Sequence, residues 1–410
     1  MQQHLLVIGG GAAGFFCAVN AARMNPALKV TLAEKGNKLL SKVRVSGGGR
    51  CNLTHACDSI AEMSNCYPRG QHFVKKNFHH FFVKDTIEWF TSRGVELKVE
   101  ADGRMFPVSD SSETIIHCLV REANQHKVEM MLNADVKSLL KKGETFEAVM
   151  ADGRKVEADF VCIASGGFPK PEQFNWITSL GHHIATPVPS LFTFNLPKHP
   201  LNALMGVVAD PVRVKIEGTK LSEEGPVLIT HWGLSGPGIL RLSAWGARDL
   251  AERDWHFTVH VNWLPDLNEE SARKKLQEIR FETAGQKITA RNVFGLPQRL
   301  WEFFVLQSGI KPDTRWADLP AKEQNKLAKT LCDSVFEVKG KTTFKEEFVT
   351  AGGIELKEVE AGTMESKIVP GLFFAGEILD VDGITGGYNF QHAWSSGFLA
   401  AQSVADRTTL

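Results

Sequence analysis

The sequence predicts an α/β fold in which a parallel-sheet domain is interrupted by a small antiparallel β-barrel or sandwich, and that insert itself carries a small helical piece. Three observations predict it. A strand, a glycine loop, a helix and a second strand fill residues 4–34; the composition shifts after Pro187 to short alternating segments; and a further strand, glycine loop and helix run from residue 371 to the end. The first unit sets the class.

His4-Leu5-Leu6-Val7-Ile8 is a short apolar run with the length and branching of a buried parallel strand. Gly9, Gly11 and Gly14 follow as G-x-G-x-x-G, then a helix from Phe15 to Met24 stopped by Asn25-Pro26, then Lys29–Ala33 as a second strand ending in Glu34. Gly9 permits the tight turn, Gly11 lets a pyrophosphate approach the backbone, and Gly14 lets the helix sit close to the sheet. Phosphates meet the helix N-terminus, and Glu34, about 20 residues past Gly14, is placed to accept hydrogen bonds from a ribose. The context of strand, helix and acid makes this a Rossmann-like dinucleotide site rather than a bare turn.

Bulk properties bound the rest. The chain has 410 residues, 43% hydrophobic and 23% charged, enough for two or three domains of ordinary globular composition. Lys+Arg and Asp+Glu both number 47, so the balanced charge gives no footprint for nucleic acid or an anionic membrane, and no oligomerisation signal is visible. The first strand opens at residue 4, leaving no room for a signal peptide, and no apolar run reaches membrane-span length. Seven scattered cysteines without C-x-x-C spacing suit reduced thiols in a cytoplasm and no metal site.

Residues 35–58 form a second glycine loop, with Ser46, Gly47, Gly48 and Gly49 among Lys38, Lys42, Arg44 and Arg50 and followed by Cys51 and Asn52; its backbone can approach an anion. Cys51 and Cys57, with five residues between them, are read as separate thiols rather than a redox pair. One amphipathic helix is expected over 77–93, with Phe78, Phe81, Phe82, Ile87, Trp89 and Phe90 on its apolar side. A capping box at Asp110–Glu113 opens another helix to about His126. Strands follow over 128–140 and 146–163, the latter with an Asp152-Gly153 hairpin turn and ending in Ala164-Ser165-Gly166-Gly167.

Residues 190–264 alternate in short segments separated by Gly and Pro, and His231 stands in the glycine-punctuated turn 230–237. Helical periodicity takes over at 268–279, 296–307 and 321–335. The boundaries place the parallel-sheet domain at 1–188 and 343–410, the barrel at 189–266 and 335–342, and the helical insertion at 267–334. Near the end, Gly371–Glu377 is a buried strand closing in Gly376-Glu377; Asp380, Asp382, Gly386, Gly387, Tyr388 and Asn389 then lead into a helix over 390–404, a second grip on one long ligand.

These segments carry a resemblance. GGGAAG (9–14), VSGGGRCNLT (45–54), GRMFP (103–107), ASGG (164–167), THWGLSGP (230–237), VTAGG (349–353), TMES (363–366) and GLFFAGEILDVDGITGGYNFQHAWSSG (371–397) resemble, in order, the bacterial BaiN/YhiN-like NAD(P)/FAD-dependent oxidoreductases. The last is the most specific. The resemblance implies a Rossmann-like FAD-binding domain of the two-dinucleotide-binding type, interrupted by an antiparallel β-barrel that itself carries a helical insertion, and FAD contacts at Gly9, Gly11, Ala13, Gly14, Glu34, Lys35, Ser46, Gly48, Arg50, Cys51, Asn52, Val136, Ala164, Gly166, Gly376, Glu377, Gly387, Tyr388 and Asn389. Two departures are small: relatives more often have Ala-Thr-Gly at 164–166, and Phe344–Glu347 is more polar than usual.

The expected chemistry is hydride transfer between a small organic substrate and the flavin, with NAD(P)H as transient reductant. No second G-x-G-x-x-G is present, so a flavin oxidase of amines using dioxygen is the alternative, and a flavin-binding protein without turnover a third reading. The helix N-terminus near 388 would stabilise charge on the flavin pyrimidine, and Glu377 would meet ribityl hydroxyls. Candidates for acid–base work are His392, Asp380, Asp382, Arg50 and His231.

Overall fold

The computed structural model describes residues 2–290, 292–343 and 349–408. Phe344–Glu347, the polar departure noted above, lies outside them. The chain divides into two compact units, 1–189 with 344–410, and 190–343.

In the first unit, β1 (His4–Ile8) leads through the glycine loop into α1 (Ala12–Met24) and β2 (Lys29–Ala33). Further along come α2 (Gln71–Phe78), α3 (Val83–Thr91), β3 (Glu129–Met131), β4 (Phe160–Ile163), β5 (Leu372–Phe374) and α4 (Tyr388–Thr408). The five strands make a wholly parallel sheet in the order β5-β4-β1-β2-β3. Leu5, Leu6 and Val7 are fully buried at its centre, as the unbroken apolar run required. The strand C-termini therefore converge on one edge, where Gly9, Ala164 and Ala375 continue the chain. Helix α1 is buried from Ala13 to Ala22 because α4 packs along it. A Cβ on Gly397 would meet the Ala13 carbonyl oxygen at 2.6 Å, so glycine sets this crossing distance.

Three expectations change. The single helix over 77–93 is two helices, α2 and α3. Phe82 turns extended (φ −126°, ψ −169°), and the Asp85 carboxylate accepts its N–H at 2.7 Å, starting a new helix. The loop at 35–58 contains a short helix from Ser41 that breaks at Ser46–Gly48, where Gly47 (φ 58°) and Gly48 (φ 69°) are left-handed. The strand expected over 128–140 is β3 plus Val136–Lys142; between them Asn133 and Ala134 donate N–H bonds to Gly36 and Glu34.

The second unit holds a seven-stranded antiparallel sheet in the order 334–339, 256–262, 208–216, 222–229, 233–235, 193–195, 341–342. Helices Glu269–Glu282, Gln298–Gln307 and Ala321–Cys332 match the expected helical piece, and Pro237–Trp245 and Ala247–Glu252 add two that were not expected. Trp263 lies 5.3 Å from Phe304 and 6.4 Å from Phe336, ring to ring, so sheet and helices bury one core.

Candidate cofactor and active site

The loop at the end of β1 is shaped by what its glycines exclude. Gly9 (φ 117°) lies so close to Ala164 that a Cβ would meet its carbonyl oxygen at 2.3 Å, and one on Gly14 would meet the Gly9 oxygen at 1.9 Å. Gly11 differs: a Cβ there would enter open space. The first bond into the helix is Phe15 N–H to the Gly11 carbonyl at 2.9 Å, so the N–H groups of Ala12, Ala13 and Gly14 have no intrahelical acceptor. Room beside Gly11 and three outward N–H groups at a helix N-terminus make an anion cradle.

Glu34 does not wait unengaged. Its carboxylate accepts the N–H of Gly10 and of Gly36, each at 2.8 Å, so it braces the loop that a ribose would approach. Lys35 is exposed next to it, and buried Val136 begins the strand that runs on from the Glu34–Ala134 contact.

At the second grip, Gly376 (φ 73°) packs against Ala13 and donates to Ser396 Oγ at 2.9 Å. Glu377 accepts from Lys42 Nζ at 2.7 Å and from the Thr350 N–H at 2.9 Å. Gly387 faces the Thr54 carbonyl, where a Cβ would come within 2.5 Å. Asn52 ties the two together, its amide oxygen toward Gly387 N–H at 3.0 Å and its amide nitrogen toward Thr54 O at 3.1 Å. Asn389 holds the 383–388 loop by pairing with both backbone groups of Gly383 at 2.9 Å. Tyr388 stacks on His55, 4.8 Å between ring centroids, and its carbonyl accepts the Tyr67 hydroxyl at 2.6 Å.

The middle glycine loop holds Ser46, which bonds the Val43 carbonyl at 2.9 Å, and exposed Gly48. Cys51 is buried with φ 62°, and burial pushes its thiol up to about 12. That inert thiol fits the reading against a Cys51–Cys57 redox pair. Arg50 lies 4.0 Å over the Phe106 ring and 2.6 Å from Glu100, whose hydrogen bond raises its pKa. Asp382 is fully buried and paired with Arg69, and Asp380 donates its backbone N–H to the Ile354 carbonyl at 3.1 Å. His392, one turn into α4, is 2% exposed; neither ring nitrogen has a partner among the described residues, and burial lowers its pKa to about 4. His231 belongs to the other unit, exposed in its turn with its ring 4.6 Å from Trp232.

Ser165 Oγ and Thr350 Oγ1 are also buried without partners among the described residues, the latter 2.5 Å from where a Gly167 Cβ would stand. An anion cradle, a braced acid and orphaned polar atoms along one sheet edge fit a long, phosphate-bearing, hydroxyl-rich cofactor. The sequence reading missed Lys42, Thr350 and Ser396, which act across more than three hundred residues or on backbone alone; the basic flank of the glycine loop was the one signal for Lys42.

Comparison with known proteins gives this site a family. The chain is 30% identical to the 3-dehydro-bile acid delta(4,6)-reductase of Clostridium scindens, over 98% of each chain. It is 32% identical to the ribosomal RNA dihydrouridine synthase of Escherichia coli, over 97% of each. In fold it is similar to a 3-ketosteroid-delta4-(5alpha)-dehydrogenase from Rhodococcus jostii RHA1, with a TM-score of 0.50, 13% identity and 97% of each chain covered. The expectation of a small-molecule partner and no nucleic acid is corrected by the second relative, which is named for a ribosomal RNA substrate. A zero sum of charges averages over the surface and cannot exclude a local patch. The motifs' resemblance is to this same family of FAD-dependent oxidoreductases, and with its model matched over residues 3–403 the chain belongs to the HI0933-like protein Rossmann domain family.

Proposed function

We propose that the chain is an FAD-dependent reductase that saturates a carbon–carbon double bond conjugated to a carbonyl, with NAD(P)H as electron source and a uracil ring in ribosomal RNA as substrate. The observation that carries the cofactor assignment is the pairing of the open cradle at Gly11 with the Gly376–Asn389 grip, both built around the α1–α4 crossing. The substrate follows from chemistry shared by two relatives: a delta(4,6)-reductase of a 3-dehydro bile acid and a dihydrouridine synthase both reduce an alkene activated by a carbonyl.

In this reading Gly9, Gly11, Ala13 and Gly14 hold the pyrophosphate, and Glu34, Lys35 and Val136 the adenosine end. Ser46, Gly48, Arg50, Cys51 and Asn52 line the middle, with Ala164 and Gly166 beneath. Gly376 and Glu377 meet the ribityl chain, and Gly387, Tyr388 and Asn389 present the N-terminus of α4 to the ring. Bound there and reduced, FAD supplies the hydride. Arg50, held charged by Glu100, and His392, held neutral by burial, orient rather than donate protons. Asp380 is the candidate within this unit for delivering the proton that completes the reduction. In the inserted unit, Gly340 donates to Trp255 and accepts from Asn195, so both sheet edges meet at one residue. We read this as a closed barrel over 189–266 and 335–342 carrying 267–334.

Anaerobic stopped-flow mixing with NADPH or NADH, followed by nucleoside mass spectrometry of added ribosomal RNA, tests the reading. Bleaching of the flavin and appearance of dihydrouridine are expected. A flavin that neither nicotinamide reduces, but an amine and dioxygen turn over, sinks it.

A further inference from the structure

We infer that the outward face of α2 and the turn after it form a docking surface for the phosphate backbone of RNA, leading a base into the adjoining cleft. This rests on the RNA reading above. His72, Lys75 and Lys76 fall at i, i+3 and i+4 on one face of α2, His79 and His80 follow in the turn after it, and Lys84 stands in the first turn of α3; all six are exposed. The residues between them, Phe73, Val74, Asn77, Phe78 and Phe81, are buried, so the fold turns the three lysines and the three imidazoles of this stretch outward.

Local charge is the opposite of the chain's balance. Residues 71–84 contain no Asp or Glu, in a chain with 47 of each sign. None of Lys75, Lys76 and Lys84 has an ion pair among the described residues, whereas Lys29, Lys98, Lys142, Lys155 and Lys287 all do. Lys75 and Lys76 also sit in the last turn of α2, where a helix favours cations. That does not account for His79, His80 and Lys84, which lie past its end. An uncompensated positive stripe is the electrostatic complement of a polyanion.

The surface leads somewhere. The helix Ile60–Ser64 packs on α2, and it borders a cleft of about 520 Å³ lined by His55, Cys57, Asp58, Ser59, Glu62 and Tyr388 among others. That volume suits a ligand site. His55, half-buried at the cleft and backed by the buried Tyr388 ring 4.8 Å away, offers one aromatic face of the kind on which unstacked RNA bases rest. Asp58 and Glu62 at the cleft repel phosphate, which keeps the backbone on the helix face while the base enters. Tyr388 is also the first residue of α4, so a base on this platform would lie beside the proposed flavin ring.

The test uses the full FAD-loaded chain, deproteinised ribosomal RNA as probe, and fluorescence anisotropy over a KCl series. The triple variant Lys75→Gln/Lys76→Gln/Lys84→Gln should bind about tenfold or more weakly near physiological salt. Its log–log salt slope should be shallower by about 2, from three lost phosphate contacts. Flavin reduction by NAD(P)H should be unchanged. A control with Lys322, Lys326 and Lys329 changed to Gln removes the same charge from another exposed helix and should bind like the parent. If the first triple binds normally, or the control loses as much, the docking surface is wrong although the RNA substrate stands. If the parent neither binds the RNA nor forms dihydrouridine, the functional reading falls and the surface with it.

Discussion

His392 concentrates the site's physics in one side chain. A buried polar ring costs stability when its hydrogen bonds go unmet, and far more when it is charged. Burial brings its pKa down to about 4, against about 6.5 for an imidazole in an unfolded chain. Between those values the unfolded state binds the extra proton and the native state does not. Stability is therefore intact above pH 6.5 and declines as pH falls toward 4, by on the order of 3 kcal/mol from this group. Apoprotein denatured at pH 7 and pH 4.5 should show this loss, and His392→Phe should remove most of it. An equal loss in both proteins rules the account out. The residues of the first cradle were legible because their constraint is local: Gly9, Gly11 and Gly14 act within six positions of one another. Glu377 was legible as an acid after a strand, but its partner Lys42, 335 positions away, was not.

Among elements, the α1–α4 crossing governs the site because both helices aim an N-terminus at it. Gly397 allows the close approach: a Cβ would stand 2.6 Å from the Ala13 oxygen and 3.3 Å from the Cys17 nitrogen. Alanine is favoured over glycine inside a helix by about 1 kcal/mol. Gly397→Ala should nonetheless destabilise, by about 1–3 kcal/mol, because the obstacle is backbone and the helices must part. Weaker FAD retention should accompany the loss, since Ala13 and Gly376 move apart with them; thermal unfolding and flavin stoichiometry read both. A variant as stable and as yellow as the parent would show that the crossing tolerates expansion. This element was half visible in advance. The final helix was expected over 390–404, but the small residue that fixes its neighbour gives no periodic signal. The same holds for α2 and α3, whose shared aromatic rhythm hid the break that Asp85 imposes at Phe82.

For the whole molecule, the chain divides into two compact units and the apolar packing follows that division. Among the described residues, the apolar core around the parallel sheet draws on residues up to 184 and from 354 onward, and the second core on 192–338. The strand Ile184–Ser190 pairs with Val349–Ile354, which brings the chain back near where it left. Excising 191–342 and joining the ends with a short Gly/Ser linker should thus leave a folded first unit, because loop closure depends only weakly on linker length. Both grips on the cofactor lie within that unit, so the shortened protein should purify yellow and take up FAD near one per chain. Circular dichroism and flavin absorbance decide it. An insoluble or colourless product would mean that the inserted unit supplies part of the fold or of the cofactor's hold, and that its role begins before any substrate arrives.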